Sequence, residues 1–219
     1  GPVLGMPRPP IGAFTQALYE QGQGAGWTVV SMKDDWKQVF PFEPNSVTAI
    51  NILLEPDATM LQRCEANNAR LLKVFPKGFT LDATHRPHVT LLQRFVRTAD
   101  LDKIYVAAGK VCAGTDVLGL RMEAFKYYYI PSGAIGLAGI VARPSPELRQ
   151  LQKDLIDAVA PFTLATGLSD AFATTADDPV IDPLLIDYVS SFVPKSTGEH
   201  FSPHVTTGIA PCDYLERML

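Results

Sequence analysis

The chain has 219 residues, 47% of them hydrophobic and 19% charged, enough apolar material to bury a sizeable core in one domain or two closely joined lobes. A formal charge of −4 excludes broad binding to duplex DNA, which leaves a basic footprint on the proteins that do it. The uncharged run from Tyr127 to Ala142 is too short to span a membrane and is interrupted by Pro131-Ser132-Gly133.

Gly1-Pro2 reads as a protease-cleavage scar, and residues 1–26 as a Pro- and Gly-rich extension with a helical turn or two around Phe14 to Gln21. The first regular element is an apolar strand from Val47 to Leu54, ended by Glu55-Pro56. Asp57 then caps a helix running to about Lys73, with Leu61, Cys64, Leu71 and Leu72 on its apolar stripe. After the turn Pro76-Lys77-Gly78, the segment Phe79 to Val96 is extended. Thr98 or Asp100 starts a second helix in which Leu101, Ile104, Tyr105, Ala108, Val111 and Cys112 share a face, stopped at Gly114.

Arg121 to Ile130 and Ala134 to Val141 read as a hairpin. Ser145-Pro146-Glu147 opens a helix, a hydroxyl cap followed by proline where no amide is needed, with Leu148, Leu151, Leu155 and Val159 inward and Pro161 as its stop. Thr163 to Asp182 is polar and turn-rich, a long surface loop expected near a cleft entrance. A short helix follows over Leu184 to Phe192. Of the three cysteines, Cys64 and Cys112 fall on apolar helix faces and none has metal-ligand spacing, so they are expected as buried core residues of a reducing, cytoplasmic compartment, although a cleaved signal peptide would leave no trace.

The informative feature is a repeat. Pro87-His88-Val89-Thr90 returns as Pro203-His204-Val205-Thr206, and each copy opens a run of strand-forming residues. Side chains two apart in a strand share a face, so His88 and Thr90 point one way while Val89 and Leu91 point into a core; His204 and Thr206 do the same against Val205 and Thr207. Two such strands with their inner faces opposed would gather two imidazoles and two hydroxyls around one cavity. One imidazole can take a proton from an attacking water while the other donates to a departing oxygen, and the threonines can hold non-bridging phosphate oxygens. No metal or cofactor is required.

This pair of Pro-His-x-Thr strands resembles the signature of the two-histidine (2H) phosphoesterase superfamily, in its 2',5'-RNA ligase-like and cyclic nucleotide phosphodiesterase branches. The resemblance spans most of Val47 to Ala210, with Thr207 standing where the family has an apolar residue. It implies an α+β fold over residues 27–219: two pseudo-symmetric lobes of antiparallel sheet with outer helices around a central cleft. It implies catalytic roles for His88, Thr90, His204 and Thr206, and a monomeric phosphodiesterase whose partner is a nucleotide or RNA end bearing a 2',3'-cyclic phosphate or a 2',5' linkage. Only Cys212 to Leu219 follow the second motif, whereas the family adds a further helix and strand; the expectation is that the chain is cut short or that the N-terminal extension supplies the strand.

Two other readings stay open. The same cleft could bind a nucleotide or RNA end without turnover. His200-x-x-x-His204 has the helical ligand spacing of a metal-dependent hydrolase, but Pro203 penalises a helix there by about 3 kcal/mol and only Glu199 and Asp82 offer a nearby carboxylate. His85 and His200 read as loop residues, and Tyr127 to Tyr129 as strand aromatics that could also stack on a base. Lys126, Arg94 and Lys195 could contact phosphate and Arg86 adjoins the first motif, but all four read by default as solvated surface charges.

Overall fold

Val47–Leu54 (β1) pairs antiparallel with Val89–Arg97 (β2), and this ladder begins the sheet. The computed structural model describes residues 46–82, 85–117, 119–172 and 180–219, so the extension at 1–26 lies outside the described residues. The remaining strands are Glu123–Ser132 (β3), Ile135–Arg143 (β4), Thr163–Leu164 (β5) and His204–Pro211 (β6). The helices are Ala58–Val74 (α1), Leu101–Ala113 (α2), Pro146–Val159 (α3), Pro183–Ser196 (α4) and Cys212–Glu216 (α5). The class is α+β, with strands in the order β1-β2-β6-β4-β3 and β5 beside β2.

Local signals account for most boundaries. The Asp57 carboxylate accepts the Met60 amide at 2.8 Å and Ser145 Oγ accepts that of Leu148 at 3.1 Å, each satisfying an amide the first helical turn leaves unpaired. Gly133 turns the β3–β4 hairpin at φ 63°, a conformation that a Cβ disfavours. Three stretches differ from expectation. The segment before the first motif is irregular until Val89, and α4 continues past Phe192 through Pro194. Of the stretch expected as a surface loop, residues 173–179 lie outside the described residues, and Thr163 to Phe172 is more than a loop: β5 pairs with Phe95 and Val96, and Phe172 packs edge-on against Phe95 at 5.6 Å.

The two halves of the sheet, β1-β2-β5 and β6-β4-β3, meet at one backbone pair, Val89 with Val205. Beyond it the carbonyl of Leu91 has no strand partner. The buried carboxamide of Gln152, on α3, donates to it at 3.0 Å. One face of the sheet carries Leu54, Val89, Leu91 and Val205 into the main core beneath α2 and α3. On the other face α4 covers the far end, where Val189 packs with Ala49 and Phe95.

Helix α1 is tied to both halves by a pair of buried amides. Asn67 Nδ2 donates to Thr207 Oγ1 at 2.7 Å, so the hydroxyl that departs from the apolar pattern has a buried polar partner on the side away from the histidines. Asn68 Nδ2 donates to the carbonyls of Thr207 and Phe79, both at 2.9 Å, while its Oδ1 accepts from the Leu81 amide at 3.0 Å. One side chain thereby joins the β6 backbone to the segment leading into the first motif. Asn68→Ala strands three backbone groups at once and is expected to lower stability by about 3 kcal/mol, read from the urea midpoint at unchanged slope.

Candidate active site

The pairing of Val89 with Val205 decides where the repeated motifs point. Residues directly opposite in a ladder share a face, so both valines enter the core, and the side chains flanking each of them emerge together on the other face. His88, Thr90, His204 and Thr206 are all half-buried, alternating with buried Val89, Leu91, Val205 and Thr207. Counting one residue outward from the pair sets His88 beside Thr206 and Thr90 beside His204, so each imidazole neighbours the other motif's hydroxyl. The motif strands are neighbours in one sheet, not opposed walls of a cavity. A ladder of a single pair brings the groups together without a second layer.

Both imidazoles are held alike. His88 Nδ1 lies 2.8 Å from the Arg86 carbonyl and His204 Nδ1 lies 2.8 Å from that of Ser202, each two residues upstream. A carbonyl can only accept, so in each neutral ring Nδ1 carries the proton and Nε2 is left as a base. The proline between each histidine and its acceptor keeps the preceding residue extended and presents that carbonyl to the ring. Burial pulls the pKa of both imidazoles below the ordinary value of 6.5, partly countered by the carbonyls; at His88 the charge of His204 depresses it further, which places the rings within electrostatic reach of one another.

The surroundings include two residues read above as a surface charge and a strand aromatic. Arg86 is not a solvated charge: its guanidinium pairs with the mostly buried Glu55 carboxylate just beyond β1, anchoring the segment whose carbonyl holds His88. Tyr128, on β3, stands edge-on to His204 with centroids 5.1 Å apart and planes at 67°. It reaches that far because Gly139 lies between them on β4, paired with both Tyr128 and Thr206; a Cβ there would sit 2.5 Å from the Tyr128 ring and 2.8 Å from the Val205 carbonyl oxygen. Strand parity, which sends Tyr128 to the opposite face from Tyr127 and Tyr129, is the sequence signal that marks it.

Other candidates lie elsewhere. Arg94 shares a sheet face with its partner Ile50 and donates to Thr163 Oγ1 at 3.1 Å. Lys126 and Lys195 are exposed. His85 stacks on Phe79 at 5.2 Å, and His200 ends the exposed 3-10 turn Gly198–His200, so His200 and His204 do not lie on one helical turn. Among the described residues no three His, Cys, Asp or Glu side chains are grouped so as to hold a metal ion. Cys64 and Cys112 are buried, and burial pushes their thiols up to about 12 and about 11. No described helix is long and apolar enough to cross a membrane.

No protein-family model matches the chain, and neither does any curated protein. Among solved structures it is similar to Usb1 of Kluyveromyces marxianus with uridine monophosphate, at 12% identity over 78% of this chain and 71% of that one, with a TM-score of 0.29. Superposition that loose carries no functional argument.

The depressed imidazole pKa values have a consequence for stability. Between the unfolded value of 6.5 and the lower folded values, the unfolded chain binds protons that the folded chain does not, so stability present above pH 6.5 is lost as pH falls through that window. The urea midpoint is expected to drop on acidification from pH 7 to 5. The drop should be shallower in the double variant His88→Asn/His204→Asn.

Proposed function

We propose that the protein is a metal-independent phosphodiesterase acting on RNA-type phosphodiesters, either a 2',3'-cyclic phosphate end or a 2',5' linkage. The observation that carries this reading is the matched tethering of two imidazoles on one sheet face, each with Nδ1 bonded to a backbone carbonyl and Nε2 left for chemistry. A pair of rings serving only to pack would not need the same tautomer on both sides of one backbone pair. The half-exposed threonines beside them supply hydroxyl donors for the non-bridging oxygens.

Hydrolysis of a cyclic phosphate then runs as follows. The substrate anion favours a proton on one of the two rings, which burial otherwise keeps neutral. The neutral ring accepts a proton from water at Nε2 as the water oxygen bonds to phosphorus. The bond from phosphorus to the 2' or 3' oxygen breaks, and the protonated ring delivers its Nε2 proton to that oxygen. The product is a phosphomonoester with a free neighbouring hydroxyl, and the two rings have exchanged protonation states. Thr90 and Thr206 donate to the non-bridging oxygens, where charge develops in the transition state.

His88→Ala and His204→Ala should each lower turnover of uridine 2',3'-cyclic phosphate by about 10²- to 10⁴-fold while the protein stays folded by circular dichroism. Activity surviving both changes refutes the mechanism. EDTA at millimolar concentration should leave the rate of the unaltered protein unchanged, and a loss restored by a divalent ion would point to metal-dependent hydrolysis instead. Stoichiometric binding of uridine monophosphate without turnover of either ester would make the protein a binding module.

A further inference from the structure

Tyr128 belongs to the outer hairpin, yet its side chain crosses β4 over Gly139 to end against His204 and Thr206. Its phenol oxygen is buried, and among the described residues no hydrogen bond of ordinary geometry reaches it. The Thr206 hydroxyl is near enough to offset part of the rise that burial, and then the neighbouring Tyr188 phenol, impose on the Tyr128 pKa, but no bond of ordinary geometry joins the two oxygens. The pKa is raised, so the phenol keeps its proton across the working range and can act as a donor. A buried hydroxyl left unpaired is destabilising, a cost that a fold without use for it would avoid by placing phenylalanine here. This donor sits on the sheet face that carries both imidazoles, in register with one of the hydroxyls already assigned to phosphate.

We propose that Tyr128 is a further catalytic residue whose phenol O–H, together with the Thr206 hydroxyl, hydrogen-bonds a non-bridging phosphoryl oxygen on the His204 side of the substrate. The assignment rests on the phosphodiesterase reading above. It differs from stacking on a base, because the group at work is the hydroxyl and its target is phosphate. The bond strengthens as charge gathers on that oxygen, so its loss falls on kcat more than on KM. Since the phenol does not ionise, it contributes no limb to the pH–rate profile.

The test is Tyr128→Phe, which keeps the ring and removes the oxygen, with Tyr127→Phe on the opposite face as control. With uridine 2',3'-cyclic phosphate as substrate, Tyr128→Phe should lower kcat about 10- to 100-fold, leave KM within about twofold, and leave both limbs of the pH profile in place, whereas Tyr127→Phe matches the unaltered protein. An unchanged kcat in Tyr128→Phe overturns the proposal while the two-imidazole mechanism stands. A displaced pH limb also overturns it, because the tyrosine would then act through the pKa of His204. A raised KM at constant kcat assigns Tyr128 to ground-state binding and likewise overturns it. Absence of turnover in the unaltered protein overturns this proposal together with the reading on which it rests.

Discussion

The arrangement depends on a single backbone pair, Val89 with Val205. Two antiparallel halves that could each have been built separately are joined there, and the strand period of two converts the join into a rule about faces: where the valines enter the core, the neighbouring histidines and threonines must emerge together. A slip of one residue would send four polar side chains into the core beneath α2 and α3. That penalty specifies the register more strongly than the one ladder pair could by itself. The site is therefore held by apolar side chains on the reverse of the sheet.

Stopping the ladder after one pair leaves backbone groups to satisfy, and buried amide side chains do so. Gln152 caps the Leu91 carbonyl where the halves part, and Asn68 holds the β6 backbone and the Phe79–Leu81 segment to one helix. Each carboxamide offers a donor and an acceptor, so one side chain can serve backbone groups that have no partner in the ladder. The buried Thr207 fits the same scheme: a valine there would leave Asn67 Nδ2 without its acceptor.

Elements whose cause is local were readable from residue order. The Asp57 and Ser145 caps, the 3.6-residue stripe of Leu148, Leu151, Leu155 and Val159, and the apolar run Val47 to Leu54 each carry their reason within a few positions. The alternation of half-buried and buried positions through both motifs was readable for the same reason, since it is a property of one strand. What escaped depends on partners far away in the chain. That the motif strands lie side by side follows from register between segments 116 residues apart. The pairing of Arg86 with Glu55 bridges 31 positions, and the reach of Tyr128 to His204 requires a glycine on a third strand. Charged and aromatic side chains look alike in sequence whether they face solvent or a site, so only the fold separates Arg86 from Lys126.

The electrostatics of the site follow from tethering the imidazoles to carbonyls. A carboxylate at Nδ1 would also fix the tautomer, but it would raise the imidazole pKa and set a negative charge beside the place the proposed function gives to an anionic ester. The carbonyls of Arg86 and Ser202 impose the tautomer without a formal charge, and Glu55, the acid tied to this segment, is matched by Arg86. Burial then leaves both rings neutral near pH 7, each depressed and His88 further depressed by its neighbour. Mutual repulsion opposes a proton on both rings, and burial opposes a proton on either. On the phosphodiesterase reading proposed above, a phosphodiester between them would bring one negative charge and stabilise one added proton, the state a single acid and a single base require. With an overall charge of −4 the chain offers no long-range attraction to such an anion, so on that reading selection for it would rest on what the two rings and their neighbouring hydroxyls do at contact.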